Sequence, residues 1–170
     1  KNVQVLEPNT LTVDKTQINT TDKYVGYKLD VENTTIPDVV NNGDVIRVYY
    51  VKDEFDYTVE YYYDGVIDDT KTETITATYQ DVISTYTDKN ITGYKLDRTE
   101  NLPLTVSEVA ENNIIRVYYI INDGNTKTLS YTVEYYKDNE KVDLDTQIVS
   151  KTVQVLQPDT MSVAKDKINV

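Results

Sequence analysis

Tyr57-Thr58-Val59-Glu60-Tyr61-Tyr62 returns as Tyr131-Thr132-Val133-Glu134-Tyr135-Tyr136, and this hexapeptide decides the reading of the chain. Extended to Tyr63, it places Tyr, Val, Tyr and Tyr on one face and Thr, Glu and Tyr on the other. That period of two predicts a half-buried strand. Asp64-Gly65 follows as a turn, and the Thr-rich alternation from Lys71 to Tyr79 supplies a hairpin partner. Two further motifs recur. Gly26-Tyr27-Lys28-Leu29-Asp30 returns as Gly93-Tyr94-Lys95-Leu96-Asp97, and Val45-Ile46-Arg47-Val48-Tyr49-Tyr50 as Ile114-Ile115-Arg116-Val117-Tyr118-Tyr119. One whole unit therefore runs from about Tyr57 to Ile121. Its last strand should bury Ile115, Val117 and Tyr119 with Val59, and turn Arg116 and Tyr118 outward.

A longer repeat overlies the first. Lys1-Asn2-Val3-Gln4-Val5-Leu6-Glu7-Pro8 returns 150 residues later as Lys151-Thr152-Val153-Gln154-Val155-Leu156-Gln157-Pro158. The reading is of three segments: 1–54 as the back of a repeat, 55–122 as a complete repeat, and 123–170 as the front of the next. The sequence thus reads as a piece excised from an alternating array. The joints Lys52-Asp53-Glu54-Phe55-Asp56 and Asn122-Asp123-Gly124-Asn125-Thr126-Lys127 are short and polar, without the Gly/Ser content of a tether, so an extended arrangement is expected. Residues 1–51 lack an opening Tyr-Thr-Val-Glu strand and 131–170 lack a closing Arg-Val-Tyr-Tyr strand. Head-to-tail association through these two half-repeats is the corresponding expectation.

Between the hairpin and the Gly-Tyr-Lys-Leu strand, Asp81 to Lys89 has an N-cap and the length of one short helix. Its equivalents are Thr10–Asn19 and Thr160–Asn169, with Leu, Val and Ile near helical spacing. Strand, strand, helix, strand, strand predicts an α+β, β-rich fold: tandem small β-grasp (ubiquitin-like) modules of about four strands and one helix. The first and last strands would lie side by side, parallel, in the centre. The alternative is an all-β sandwich with the helical segment as loop.

Composition excludes much chemistry. The 170 residues include no Cys, His or Trp, so thiolate nucleophiles, disulfides, imidazole bases and N- or S-ligated zinc are absent. Seventeen Lys+Arg against 29 Asp+Glu give a net charge of −12, which repels nucleic acid. No apolar run reaches membrane-spanning length, so membrane insertion is not expected. No cofactor is called for, and no metal site: Asp64, Asp68 and Asp69, or Asp123 with Asn125, lack EF-hand spacing and read as solvated turns. Leu102-Pro103-Leu104-Thr105 lacks the glycine that would close a sortase signal, and no spacing supports a self-made Lys–Asn or Thr–Gln crosslink. The carboxylates are scattered, so no enzyme is expected.

Tyr57-Thr58-Val59-Glu60-Tyr61-Tyr62 with Asp64-Gly65, then Gly93-Tyr94-Lys95-Leu96 and Val117-Tyr118-Tyr119, resembles the MucBP (mucin-binding protein) repeat of Gram-positive surface adhesins. It is also similar to the β-grasp repeats of internalin-like proteins. The resemblance covers most of Tyr57–Ile121 and, in halves, the flanks. It implies a β-grasp-like fold, tandem display outside the cell on a wall-anchored protein, and binding of host mucin or its glycans. Tyr supplies 16 of the 17 aromatic residues. Sugar faces stack on such rings, and the outward members of the Tyr doublets, Tyr49, Tyr62, Tyr118 and Tyr136, are the candidate ligand-binding residues. Two roles are expected as alternatives: weak adhesion gaining avidity from repetition, or a spacer that projects another domain from the wall.

Overall fold

A computed structural model describes residues 2, 4–6, 8–21, 23–163 and 165. The chain divides into two compact units. The first comprises Lys1–Val59, Glu73–Tyr86 and Asn101–Ile115; the second comprises Glu60–Thr72, Thr87–Glu100 and Arg116–Val170.

In the first unit, Thr10–Thr12 pairs antiparallel with Val39–Asn41, Tyr27–Leu29 with Tyr50–Lys52, and Val82–Ile83 with Leu104–Thr105. The start of the opening strand, Glu54–Tyr63, pairs antiparallel with Glu73–Thr78. Tyr57, Val59, Leu104, Val106 and Ile115 are buried here.

In the second unit, the end of the opening strand turns back on Val66–Ile67 through Asp64 and Gly65, at φ 51° and 81°. Two successive positive φ values make the two-residue turn that matches strand twist. The closing strand, Ile114–Ile121, pairs antiparallel with Tyr94–Glu100 through a bulge at Tyr118/Tyr119. Thr126–Val133 pairs with Gln147–Gln154, and Tyr136–Lys137 with Glu140–Lys141. Tyr61, Tyr63, Val117 and Tyr119 are buried.

Opening and closing strands contribute to both units and are neighbours in one five-stranded sheet. The amide of Thr58 donates to Asn113 O at 2.8 Å and that of Asp64 to Tyr119 O at 2.9 Å. Partner numbers rise together, so the two strands are parallel. The expected alternation holds: Val117 and Ile115 are 0% exposed, while Arg116 and Tyr118 are partly exposed. Burial of one face on each strand fixes this register, because a one-residue slip would invert every side chain.

The β-grasp expectation is corrected. There is no α-helix among the described residues; the helical content is three 3-10 turns, Lys15–Gln17, Ala110–Asn112 and Asp143–Asp145, and the single 3-10 residue Lys165. Asp81–Lys89 contains the short strand Val82–Ile83 followed by irregular backbone, and Thr10–Asn19 contains the strand Thr10–Thr12 and one 3-10 turn. Of Thr160–Asn169, Thr160 to Val163 form no helix or strand, and 164 and 166–169 lie outside the described residues. The physical reason is composition. Val82, Ile83, Thr85 and Thr87 are β-branched, lose rotamer freedom in a helix and gain it in extended chain. Nor is a segment this short stable as a helix without a strongly apolar face to dock. The described residues are β-rich, with five two-stranded sheets and one five-stranded sheet.

Candidate functional site

The outward face of the five-stranded sheet carries the candidate aromatic site, and its members in the second unit are Tyr62, Tyr118, Glu60, Arg116, Arg98 and Glu100. Strand alternation puts them there: each neighbours a buried residue on its own strand or lies across from one that does. The Tyr62 and Tyr118 rings stack with centroids 4.8 Å apart and planes inclined by 23°. Arg98, the cross-strand partner of Tyr118, holds its guanidinium carbon 3.9 Å from the Tyr118 ring centre. Tyr118 is therefore covered on its faces by a second tyrosine and a cation, and stacking and cation–π attraction are both satisfied inside the sheet.

The hydroxyls are engaged as well. Tyr62 Oη donates to Glu60 Oε2 at 2.8 Å, and Tyr118 Oη to Glu100 Oε2 at 3.0 Å. Arg116 Nε donates to the same Glu60 oxygen at 3.0 Å, with the arginine and glutamate side chains 36% and 19% exposed. Burial, reinforced by the carboxylate each phenol faces, raises the pKa of Tyr62 and of Tyr118. The arrangement is a cross-strand ladder of rings, cations and carboxylates whose groups satisfy one another.

Tyr49 and Tyr136 stand apart from this ladder. Tyr49, in the first unit, is 46% exposed, and a depression of about 630 Å³ runs past it, lined by Asp44, Ile46, Arg47, Val39 and Asn33. Tyr136, in the second unit, is 60% exposed and donates to Glu134 Oε2 at 2.9 Å. The structure thus brings two of the four predicted residues together and leaves two separate. Glu60, Arg98, Arg116 and Glu100 were not anticipated as partners. The outward position of Arg116 and Glu60 is readable from alternation, but which strand lies beside which is not.

Two buried glycines mark a second kind of site, the joints between repeats. At the first joint, Gly26 has φ 74°, and a Cβ there would lie 2.4 Å from the Tyr79 ring. Tyr79 also packs edge-on to Tyr27 and Phe55, each at 6.0 Å between centroids. Gly26 O accepts from Asp53 N, and Asp53 O from Tyr79 N. At the second joint, Gly93 has φ 98°, and a Cβ would lie 2.6 Å from Leu156. Gly93 O accepts from Asn122 N and from Gln154 Nε2. Only glycine admits a neighbour this close in this backbone region.

Among the described residues no group of three or more acidic side chains converges as a metal site requires. Asp68 is engaged by Thr70 and Lys71 instead. No family model matches the chain, and comparison with curated proteins and with solved structures finds no match.

Proposed function

We propose that the chain is a non-catalytic repeat region of an exported bacterial surface protein of the adhesin class, and that its repeats act as a spacer rather than as a glycan platform. The observation that carries the choice is the joints. Each joint is a packed contact of a buried glycine against a side chain of the following repeat, and a hydrogen bond crosses each, Tyr79 N to Asp53 O at the first and Gln154 Nε2 to Gly93 O at the second, where a tether would show neither. A spacer needs such joints to transmit position from one repeat to the next. The aromatic face argues the same way: a sugar needs a free ring face, and the faces of Tyr118 are taken by Tyr62 and Arg98.

Two measurements test the proposal together. Backbone NMR relaxation should give joint residues 52–54 and 122–126 the same order as the opening strand; tether-like mobility there would sink the spacer role. On a mucin-coated surface and a glycan array, the chain should show no retention that depends on its tyrosines. Retention abolished by Tyr62→Ala with Tyr118→Ala would favour the adhesive role.

A further inference from the structure

The two edges of the five-stranded sheet are guarded unequally. On one side the last strand is Tyr94–Glu100, which carries Lys95, Asp97, Arg98 and Glu100 and meets the closing strand through a bulge. Charges and bulges are what keep an edge strand from pairing with another chain. Val66–Ile67 and Glu73–Thr78 share the other side. The longer of these reads Glu-Thr-Ile-Thr-Ala-Thr, with no lysine, arginine or proline, and its register with the opening strand is unbroken. Among the described residues no strand lies beyond it. Its counterpart in the next repeat, Gln147–Gln154, sets Lys151 opposite Leu129, where Glu73–Thr78 sets Ala77 opposite Phe55. The unguarded strand lies in the interior of the complete repeat, within the first unit.

Alternation fixes which main-chain groups this edge presents. The amide of Thr58 points at the closing strand, donating to Asn113 O at 2.8 Å, so the main-chain groups of Tyr57 and Val59 point the other way, at Ile75 and Glu73. In an antiparallel ladder the residues between, Thr74 and Thr76, then turn their N–H and C=O away from the sheet. Thr78 shows the same phase: its amide donates to Asp81 Oδ2 at 3.3 Å rather than to the opening strand. Thr74, Ile75 and Thr76 are all exposed, Ile75 at 40%.

We propose that two copies of this chain associate through this edge, Glu73–Thr78 pairing antiparallel with itself about a two-fold axis at Ile75. Thr74 and Thr76 of each copy then exchange main-chain hydrogen bonds with Thr76 and Thr74 of the other, which supplies the partners the edge lacks. Ile75 meets Ile75 in the non-hydrogen-bonded position, where side chains lie closest. Glu73 falls opposite Ala77, so no two like charges face each other, and Thr78 keeps its amide on Asp81. The strand is thus complementary to itself, with an apolar side chain on the axis and uncharged threonines on either side. That self-complementarity selects a second copy as the occupant. The contact is isologous, so one complete repeat per chain closes at two chains. One such edge is a small contact. On the spacer reading, each complete repeat of an array offers another, and neighbouring stalks gain strength by repetition; the pairing of the single chain does not rest on that reading.

The test uses the 170-residue chain. Light scattering should show a mass that rises with concentration to two chains and no further. Ile75→Lys sets like charges directly opposite each other on the axis and should weaken association about tenfold or more. Thr76→Pro removes an N–H that faces away from the opening strand, a change an edge strand tolerates, and should weaken association as much; circular dichroism checks the fold of each variant, and either one suffices. With no native cysteine, Ile75→Cys should oxidise to a covalent dimer on a non-reducing gel. Ala77→Cys, on the same face but off the axis, should not. A chain monomeric at every attainable concentration, growth beyond two chains, association indifferent to both folded variants, or equal crosslinking of Ile75→Cys and Ala77→Cys would each overturn the inference. A monomer would leave the glycine joints and the spacer role standing, so the two readings fail separately.

Discussion

The complete repeat and the flanking half-repeats spell nearly the same strands and bury them differently. All nine buried hydrophobic residues of the described chain lie between Tyr57 and Tyr119. Tyr57, Val59 and Tyr61 are buried; Tyr131, Val133 and Tyr135 keep the alternation but are only half-buried. Ile115, Val117 and Tyr119 are at most 1% exposed, while Ile46, Val48 and Tyr50 are half-buried. Intrinsic strand preference is the same in both copies, so it does not set the difference. The pairings do: the parallel contact between opening and closing strands, and the antiparallel pairing of Arg116, Val117 and Tyr118 with Glu100, Thr99 and Arg98, which residues 47–49 lack. With them, the strands run unbroken for 10 and 8 residues; without them, the same motifs fray at 44–49 and 134–135. Strand preference is largely a fit to a half-buried surface, and here the surface is supplied by the other half of the motif.

The largest effect that would break or sharpen this comparison is in the core. Ile115→Ala should cost about 2–5 kcal/mol, as buried Ile truncations do, and the matched Ile46→Ala below about 1 kcal/mol. Urea unfolding followed by circular dichroism separates the two, and equal costs would remove the contrast. Asn113 is next. At 2% exposure, it donates to Asp56 O and Ser107 O and accepts from Ser107 N at 2.8 Å. Asn113→Ala should cost about 1–3 kcal/mol, the penalty for stranding buried polar groups.

Alkali should act on the complete repeat. Burial raises the phenol pKa of Tyr62, Tyr63 and Tyr118 above the unfolded value of about 10. Above that pH the unfolded chain loses these protons first, so the folded state binds more of them and stability falls as pH rises. The contribution is intact below about pH 10. Tyr62→Phe with Tyr118→Phe should flatten the alkaline fall in an unfolding-versus-pH series. Arg98→Ala should have the smallest effect, because the cation–π contact and the ion pairs to Asp97 and Glu100 that it removes are solvent-exposed, read by the same unfolding experiment.

The strand faces were legible because period-two alternation is local. Glu60, Arg116 and Tyr118 point outward for the same reason that Val59, Ile115 and Val117 point inward. The neighbouring of opening and closing strands was reachable from their apolar content. The helix was not there to be read. An N-cap and helix-like length in Asp81–Lys89, and Leu, Val and Ile at rough helical spacing in Thr10–Asn19, compete with β-branched stiffness, and extended chain wins. The ladder was half legible: Tyr62 and Tyr118 were singled out, but their stacking on each other depends on a register that only the paired strands define. The glycine joints were missed. Gly26 and Gly93 open a repeated motif, yet what they touch, Tyr79 and Leu156, lies in the next repeat.

Amide hydrogen exchange, resolved by residue and carried out at a dilution where the chain is monomeric, tests the central claim most directly. The account predicts that amides of 57–63 and 114–121 open only with global unfolding, while those of 44–50 and 134–137 exchange through local opening, faster by at least about a hundredfold. Equal protection of the matched segments in the monomer would contradict it, because the strands would then hold without the pairings that distinguish them.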